Sequence, residues 1–344
     1  GKEIEATWSK HRYWFGSVVP VRIILAYFSF ETMQNMVLIA YLVALLLIPI
    51  VALCLSASSF VSTTCFTLLL LLTSVDTTFF TLMAYGASNI FSLFAAALIL
   101  YLGRSKKGDV WQLFTRAYVV GFCFWFFDYL HSIQLCMFCL AFSEYLVYRK
   151  HVEDMKPGEV LLRFFTSVAG WWTGLLGSLA SKTIFACMFF SIQDVLEPLL
   201  SHSKERMSYS GGLQERFVDI FMRMWEKRYY ALAGDTSAID LLHIFIVATI
   251  LFGLLAAWFV LKKKTVSFVF CRIRSDLTIS VALCLCLMCF YFLFAPWALR
   301  HVISMRYVTL FFFIPLIPFS LLIGDALNEL LCNKRSPQGS AQVL

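Results

Sequence analysis

The chain has 344 residues, 60% of them hydrophobic and 14% charged, with a formal charge of +7 and a mean hydropathy of +0.78. Soluble domains carry about 25% charged residues, so this composition excludes an ordinary water-soluble fold. Apolar runs of about 20 residues exclude a barrel, whose strands are about ten residues long and alternate in polarity, and leave an all-α, polytopic helical membrane bundle.

Residues 1–34 are a mixed polar and aromatic segment without initiator Met, basic n-region or signal peptide, and read as an external juxtamembrane piece of a chain truncated upstream. Nine spans are predicted, at 35–56, 59–73, 79–102, 110–127, 131–148, 164–190, 241–261, 277–299 and 307–324. The first six form one bundle within 35–190, followed by an external loop at 191–240, a three-span bundle within 241–324 and a cytoplasmic tail at 325–344.

Basic residues predict the orientation. Arg104, Lys106 and Lys107 follow the third span, Arg149, Lys150 and Lys156 the fifth, Lys262, Lys263, Lys264, Arg272 and Arg274 the seventh, and Lys334 and Arg335 the last. In a nine-span count these loops share one side, which the positive-inside rule makes cytoplasmic, with the N-terminus outside and the C-terminus inside. An outside N-terminus without a cleavable signal needs a preceding span, so one more helix is expected upstream. With its cations in short loops, the chain presents no nucleic-acid-binding face.

In the external loop, 202–212 is rich in Ser and Gly and reads as flexible. Leu213, Phe217, Ile220, Phe221, Met224 and Trp225 then recur at helical spacing opposite Glu215, Arg216, Asp219 and Arg223. This predicts an amphipathic helix over 213–232, lying in the bilayer interface or packed on the bundle's outer end. No internal repeat is evident.

Eleven cysteines lie mostly inside apolar runs. Cys136-x-x-Cys139 and the cluster of Cys284, Cys286 and Cys289 have no His or carboxylate among them, so they read as small packing residues. The chain carries no Walker loop, GxGxxG, HExxH or GxSxG, which removes support for nucleotide hydrolysis and serine-hydrolase chemistry.

The stretch 121–148 organises the rest: it is almost wholly apolar yet carries Asp128 and His131. One continuous helix would hide both groups in hydrocarbon, so a helical hairpin turning at 128–132 on the outer face is predicted. Arg12, Arg22, Asp76, Lys182, His301 and Arg306 are expected at the same face, and this crowding is the main functional signal. Lys182 follows a stripe of Gly170, Gly174, Gly177, Ser178 and Ser181 suited to close helix contact. Its ammonium either holds an anionic phosphate, snorkels to the outer interface or pairs with Asp128.

Bland readings stand beside the others. Asp128 is a base, an orienter of His131 or a turn residue bonding backbone amides, and Asp76 fits a helix cap. His301 fits a loop, Arg306 an interfacial anchor, and Trp14, Trp171 and Trp172 an aromatic belt or a sugar-stacking surface. Arg116 and Arg163, near the cytoplasmic ends of their spans, read as snorkelling side chains outside the site.

Several blocks together resemble a group of multi-pass bacterial membrane proteins similar to the C-type (GT-C) glycosyltransferases that use polyprenyl-phosphate sugars. The blocks are Arg12-Tyr13-Trp14-Phe15-Gly16 with Val21-Arg22, Phe126-Phe127-Asp128-Tyr129-Leu130, Trp171 with Gly174 and Ala180-Ser181-Lys182, and Arg300-His301 with Arg306-Tyr307. Phe15 stands where His is usual, His131 where Thr is typical, and Leu175 and Leu179 at aromatic positions.

The resemblance implies a sugar donor carried on a lipid phosphate, bound from the outer leaflet of the plasma membrane, and transfer to an extracytoplasmic glycan or lipid acceptor. It implies Lys182, Arg306 and Arg22 at the phosphate, Asp128 and His131 assisting catalysis, and Trp14, Trp172 and His301 against sugar or polyprenyl chain. The family's acidic base belongs to the first external loop and is expected upstream of Gly1; Glu3 and Glu5 match no pattern. No cofactor beyond the donor is implied, and a divalent metal is left open. The competing readings are a lipid-linked-oligosaccharide flippase or other transporter, and a non-catalytic assembly subunit.

Overall fold

The structure, a computed structural model, describes residues 18–127, 133–207, 215, 266–293 and 308–333. Among them the regular structure is entirely helical: α1 Val18–Tyr27, α2 Phe30–Leu53, α3 Ala57–Leu102, α4 Val110–Phe127, α5 Ile133–His151, α6 Pro157–Cys187, α7 Ile192–Met207, α8 Val266–Leu293 and α9 Val308–Asn333. Local chemistry starts several of them. Ser29 and Ser56 accept the Thr32 and Ser59 amides ahead of α2 and α3, and Pro157 opens α6. Asp109 and Gln112 exchange bonds at the head of α4, a reciprocal capping box.

The 46 residues of α3 would span about 69 Å as a straight rod. Consecutive residues of α5 nevertheless hold both its ends. Arg149 Nη1 donates to Ser58 Oγ at 3.2 Å, and Lys150 Nζ to Arg104 O at 2.9 Å. The helix therefore doubles back, and its apolar arms Ala57–Leu71 and Ala87–Leu102 correspond to the two spans expected at 59–73 and 79–102.

The same contacts fix the bundle's polarity. The ends of α2 and α5, both ends of α3, and the starts of α4 and α6 meet at one end, joined there by Arg272 and Asp276 of α8 and Asp325 of α9. Three of the basic loops, around Arg104, Arg149 and Arg272, are thereby gathered together, and this end is called the basic end below.

At the centre stands α5, buried from Ile133 to Arg149 around its whole circumference. Phe138 and Phe142 pack against Phe313 of α9, and Phe66 of α3 joins them, with ring centroids 5.1–5.8 Å apart. Two close crossings set the outer helices. Gly170 lies against Phe114 and Gly174 against Tyr118 and Phe122, so α4 and α6 run parallel through the predicted small-residue stripe. A Cβ on Gly174 would stand 2.1 Å from Tyr118 O, which is why the position is glycine. On the other side Ser62 meets Ser320 at 2.6 Å, and Gly324 packs on the Ser58 backbone.

The periphery is apolar. On α2, Ile39, Val43, Leu46 and Ile50 are exposed while Tyr41, Leu45 and Ile48 are buried, so the helix is apolar on every face. That pattern suits lipid rather than water. Among the described residues, two helical segments, Phe30–Leu53 and Arg272–Phe290, are long and apolar enough by length and composition to cross a membrane.

Some expectations change. The segment 1–34, read as a juxtamembrane piece, contains α1 and the start of α2. Residues 202–207, expected in a loop, continue α7, whose apolar and polar residues keep a helical spacing through Met207. α8 starts eleven residues before the expected span and α9 ends nine residues after it, because charged turns extend both helices beyond their apolar stretches. The expected span 241–261 and nearly all of the amphipathic 213–232 lie outside the described residues.

Candidate functional site

Among the described side chains, the charged groups that pair with one another gather at the basic end. Arg149 is 4% exposed and uses all five of its N–H donors. Its Nε and Nη2 reach Asp276 at 2.9 and 3.2 Å; its Nη1 and Nη2 reach Asp325 at 3.1 and 2.6 Å; Nη1 also reaches Ser58 Oγ. The Tyr145 hydroxyl donates to Asp276, and Arg272 stands 3.6 Å from Asp325. Two cations thus face two carboxylates, and the cluster is internally neutral. Such neutrality is what lets charges leave water at a helix junction.

A second pair lies one to two turns deeper. Arg116 Nη2 donates to Glu144 Oε2 at 3.0 Å and its Nε sits 3.0 Å from Oε1. Arg163 donates to Gly108 O at 2.9 Å and lies over the Tyr148 ring, 4.6 Å from its centroid. Both arginines were expected to snorkel. Burial of Glu144 on α5 instead demands a counter-charge, and Arg116 supplies it. Just outside the apolar part of α6, the Tyr148 hydroxyl bonds Glu159 Oε2 at 2.5 Å and holds that carboxyl below its ordinary value, against a smaller opposing effect of burial.

Lys182 belongs to the other end. It continues the buried stripe of α6 that runs through Val160, Phe164, Trp171, Leu175 and Ser178, so it faces the bundle interior at 5% exposure. Twenty-three residues separate it from Glu159, about 35 Å of helix. Carried onward, the parallel register of α4 and α6 brings Phe127, at the end of α4, level with residues 177–183. Trp172 is half-buried, edge-on to Trp171 with centroids 5.3 Å apart, and about 15 Å from Lys182 along the helix.

Trp171 departs from expectation. It is fully buried and packs on Phe124, so it is a core residue and no part of an interfacial belt. The expected crowding of ionisable groups at the outer face concerns residues of which only Lys182 has a described side chain, and the Arg149 cluster lies at the opposite, basic end. Of the remaining predicted site residues, Asp128, His131, His301, Arg306, Trp14 and Arg12 lie outside the described residues, as do the side chains of Arg22 and Asp76.

Sequence reasoning missed the Arg149 cluster although a signal was present. Arg149, Asp276 and Asp325 each lie immediately beyond an expected span, on one side of the membrane. Arg149 was read only as a marker of orientation. Cys136 and Cys139 are buried free thiols, as packing residues are, whereas Cys284 and Cys286 are partly buried and Cys289 is exposed.

These features define an all-helical bundle with a lipid-compatible surface and charged residues held inside it. Set against family profiles, curated proteins and solved structures, the chain matches none.

Proposed function

We propose that the chain is a multi-pass plasma-membrane protein of the GT-C glycosyltransferase kind, moving a sugar from a polyprenyl-phosphate donor to an extracytoplasmic glycan or lipid acceptor. In this reading the basic end is cytoplasmic and the Lys182 end faces outward. The observation that carries it is the placement of Lys182: a buried cation on the interior stripe of α6, far from the basic end and level with the end of α4 that leads into Asp128.

The chemistry asks for such a group. As the sugar–phosphate bond breaks, negative charge grows on the departing lipid phosphate, and a cation in a water-poor site stabilises it more than water would. Lys182 serves there with Arg306 and Arg22. A carboxylate takes the acceptor proton, with Asp128 and His131 assisting. Trp172, about 15 Å deeper than Lys182 along α6, fits the polyprenyl chain better than the sugar, leaving Trp14 and His301 for the headgroup.

The test is transfer from labelled polyprenyl-phosphate sugars by the full chain in proteoliposomes. Transfer by the native protein and its loss in Lys182→Ala support the reading; undiminished transfer and donor binding in a folded Lys182→Ala protein overturn it. The Arg149 cluster favours a second reading, a flippase or other transporter, because ionisable groups buried inside membrane bundles often mark coupling sites. Translocation of a fluorescent lipid-linked sugar without transfer would select that reading.

A further inference from the structure

Between α6 and α8 a groove of about 1400 Å³ opens on the bundle's flank. Its walls are apolar, with Leu161 and Phe165 on one side and Val281 and Leu285 on the other, and its basic-end mouth carries Lys156 and Arg274. A buried hydrogen bond from Ser275 Oγ to Met155 O, 3.1 Å long, ties together the residues next to these two cations. The basic run of α8 is divided here: Arg272 turns inward to Asp325, whereas Arg274 is exposed at the groove. Asp276, the nearest carboxylate on α8, is buried against Arg149 and does not neutralise Arg274.

From Arg274 to Cys289 the groove runs about 22 Å along α8, about the depth of one leaflet, headgroups included, of a bilayer about 40–45 Å thick. Two cations at headgroup depth above an apolar slot of one leaflet's length match an anionic amphiphile, with phosphate at the mouth and acyl chains along the walls. We propose that the groove between α6 and α8 binds an anionic diacyl phospholipid of the leaflet on the basic side, its phosphate held by Lys156 and Arg274. The site is separate from the sugar-transfer reading, which concerns the opposite end.

The experiment is native mass spectrometry of the full chain titrated with phosphatidylglycerol or with phosphatidylcholine of the same acyl chains. Phosphatidylglycerol is expected to be retained over phosphatidylcholine, and Lys156→Gln with Arg274→Gln to lower its retention roughly tenfold, both residues being exposed and the fold unaffected. Leu285→Trp, which fills the slot and keeps both cations, should also displace the lipid. Equal retention of the two lipids overturns the proposal, as does an equal drop in Lys106→Gln with Lys107→Gln, which would indicate general attraction to the basic end. An experimental structure with another segment of this chain seated in the groove overturns it as well.

Discussion

Arg149 and Asp276 lie 127 positions apart, yet the Nε of one donates to the Oδ1 of the other at 2.9 Å, with both side chains all but sealed from solvent. Because Asp325 grips the same guanidinium, α5, α8 and α9 meet at a single cation. This junction, with Ser58 of α3, fixes the basic end of the bundle.

Replacing Arg149 by Met would strand the buried Asp276 carboxylate, while the partly exposed Asp325 keeps Arg272, and is expected to destabilise the fold by about 3–5 kcal/mol. Adding Asp276→Leu should recover part of that loss, because the second change removes the stranded charge. Unfolding in mixed micelles for the four members of this double-mutant cycle measures both effects. Additive losses would show that the pair is not coupled.

Close helix contact makes a different prediction. Gly174→Leu would force a side chain into Tyr118 O, separating α4 from α6 at a cost of at least about 1–3 kcal/mol. Gly158→Ala, in the first turn of the same helix with nothing within 4 Å of its added methyl, should be neutral or slightly stabilising. Comparing the two midpoints separates backbone crowding from a general intolerance of α6.

Thiol labelling reads out the orientation. Cys54, exposed where Lys150 reaches its carbonyl, lies at the basic end, while Cys136 and Cys139 are buried on α5. In a variant keeping only Cys54, a membrane-impermeant maleimide should react in inside-out vesicles and not in right-side-out cells. Variants keeping only Cys136 or Cys139 should stay unlabelled until the protein unfolds.

For Lys182 the expected effect is on donor binding. Lys182→Met keeps the length and apolar volume of the stem and is expected to lose donor binding by at least about tenfold in the folded protein; Lys182→Arg should restore part of it. Equilibrium binding of a polyprenyl phosphate measures both. Full binding by Lys182→Met removes the phosphate role.

The chain itself determined the helical class, the gathering of basic loops at one end and the small-residue stripe of α6. Those properties are carried by composition, by the spacing of apolar residues and by local turn chemistry, all readable within a few turns. It also marked Lys182 as an ionisable residue in an apolar helix, though not the interior direction in which that side chain points.

Which helices became neighbours was decided only in three dimensions. Ser58, Arg149, Asp276 and Asp325 come from four separate helices, and nothing local to any of them announces the other three. Their meeting depends on how α3 doubles back and on how closely Gly324 lets α9 approach it. Arg116 passed from an expected snorkelling position to an ion pair with a buried partner for the same reason: the charge it answers, Glu144, is buried only once other helices surround α5.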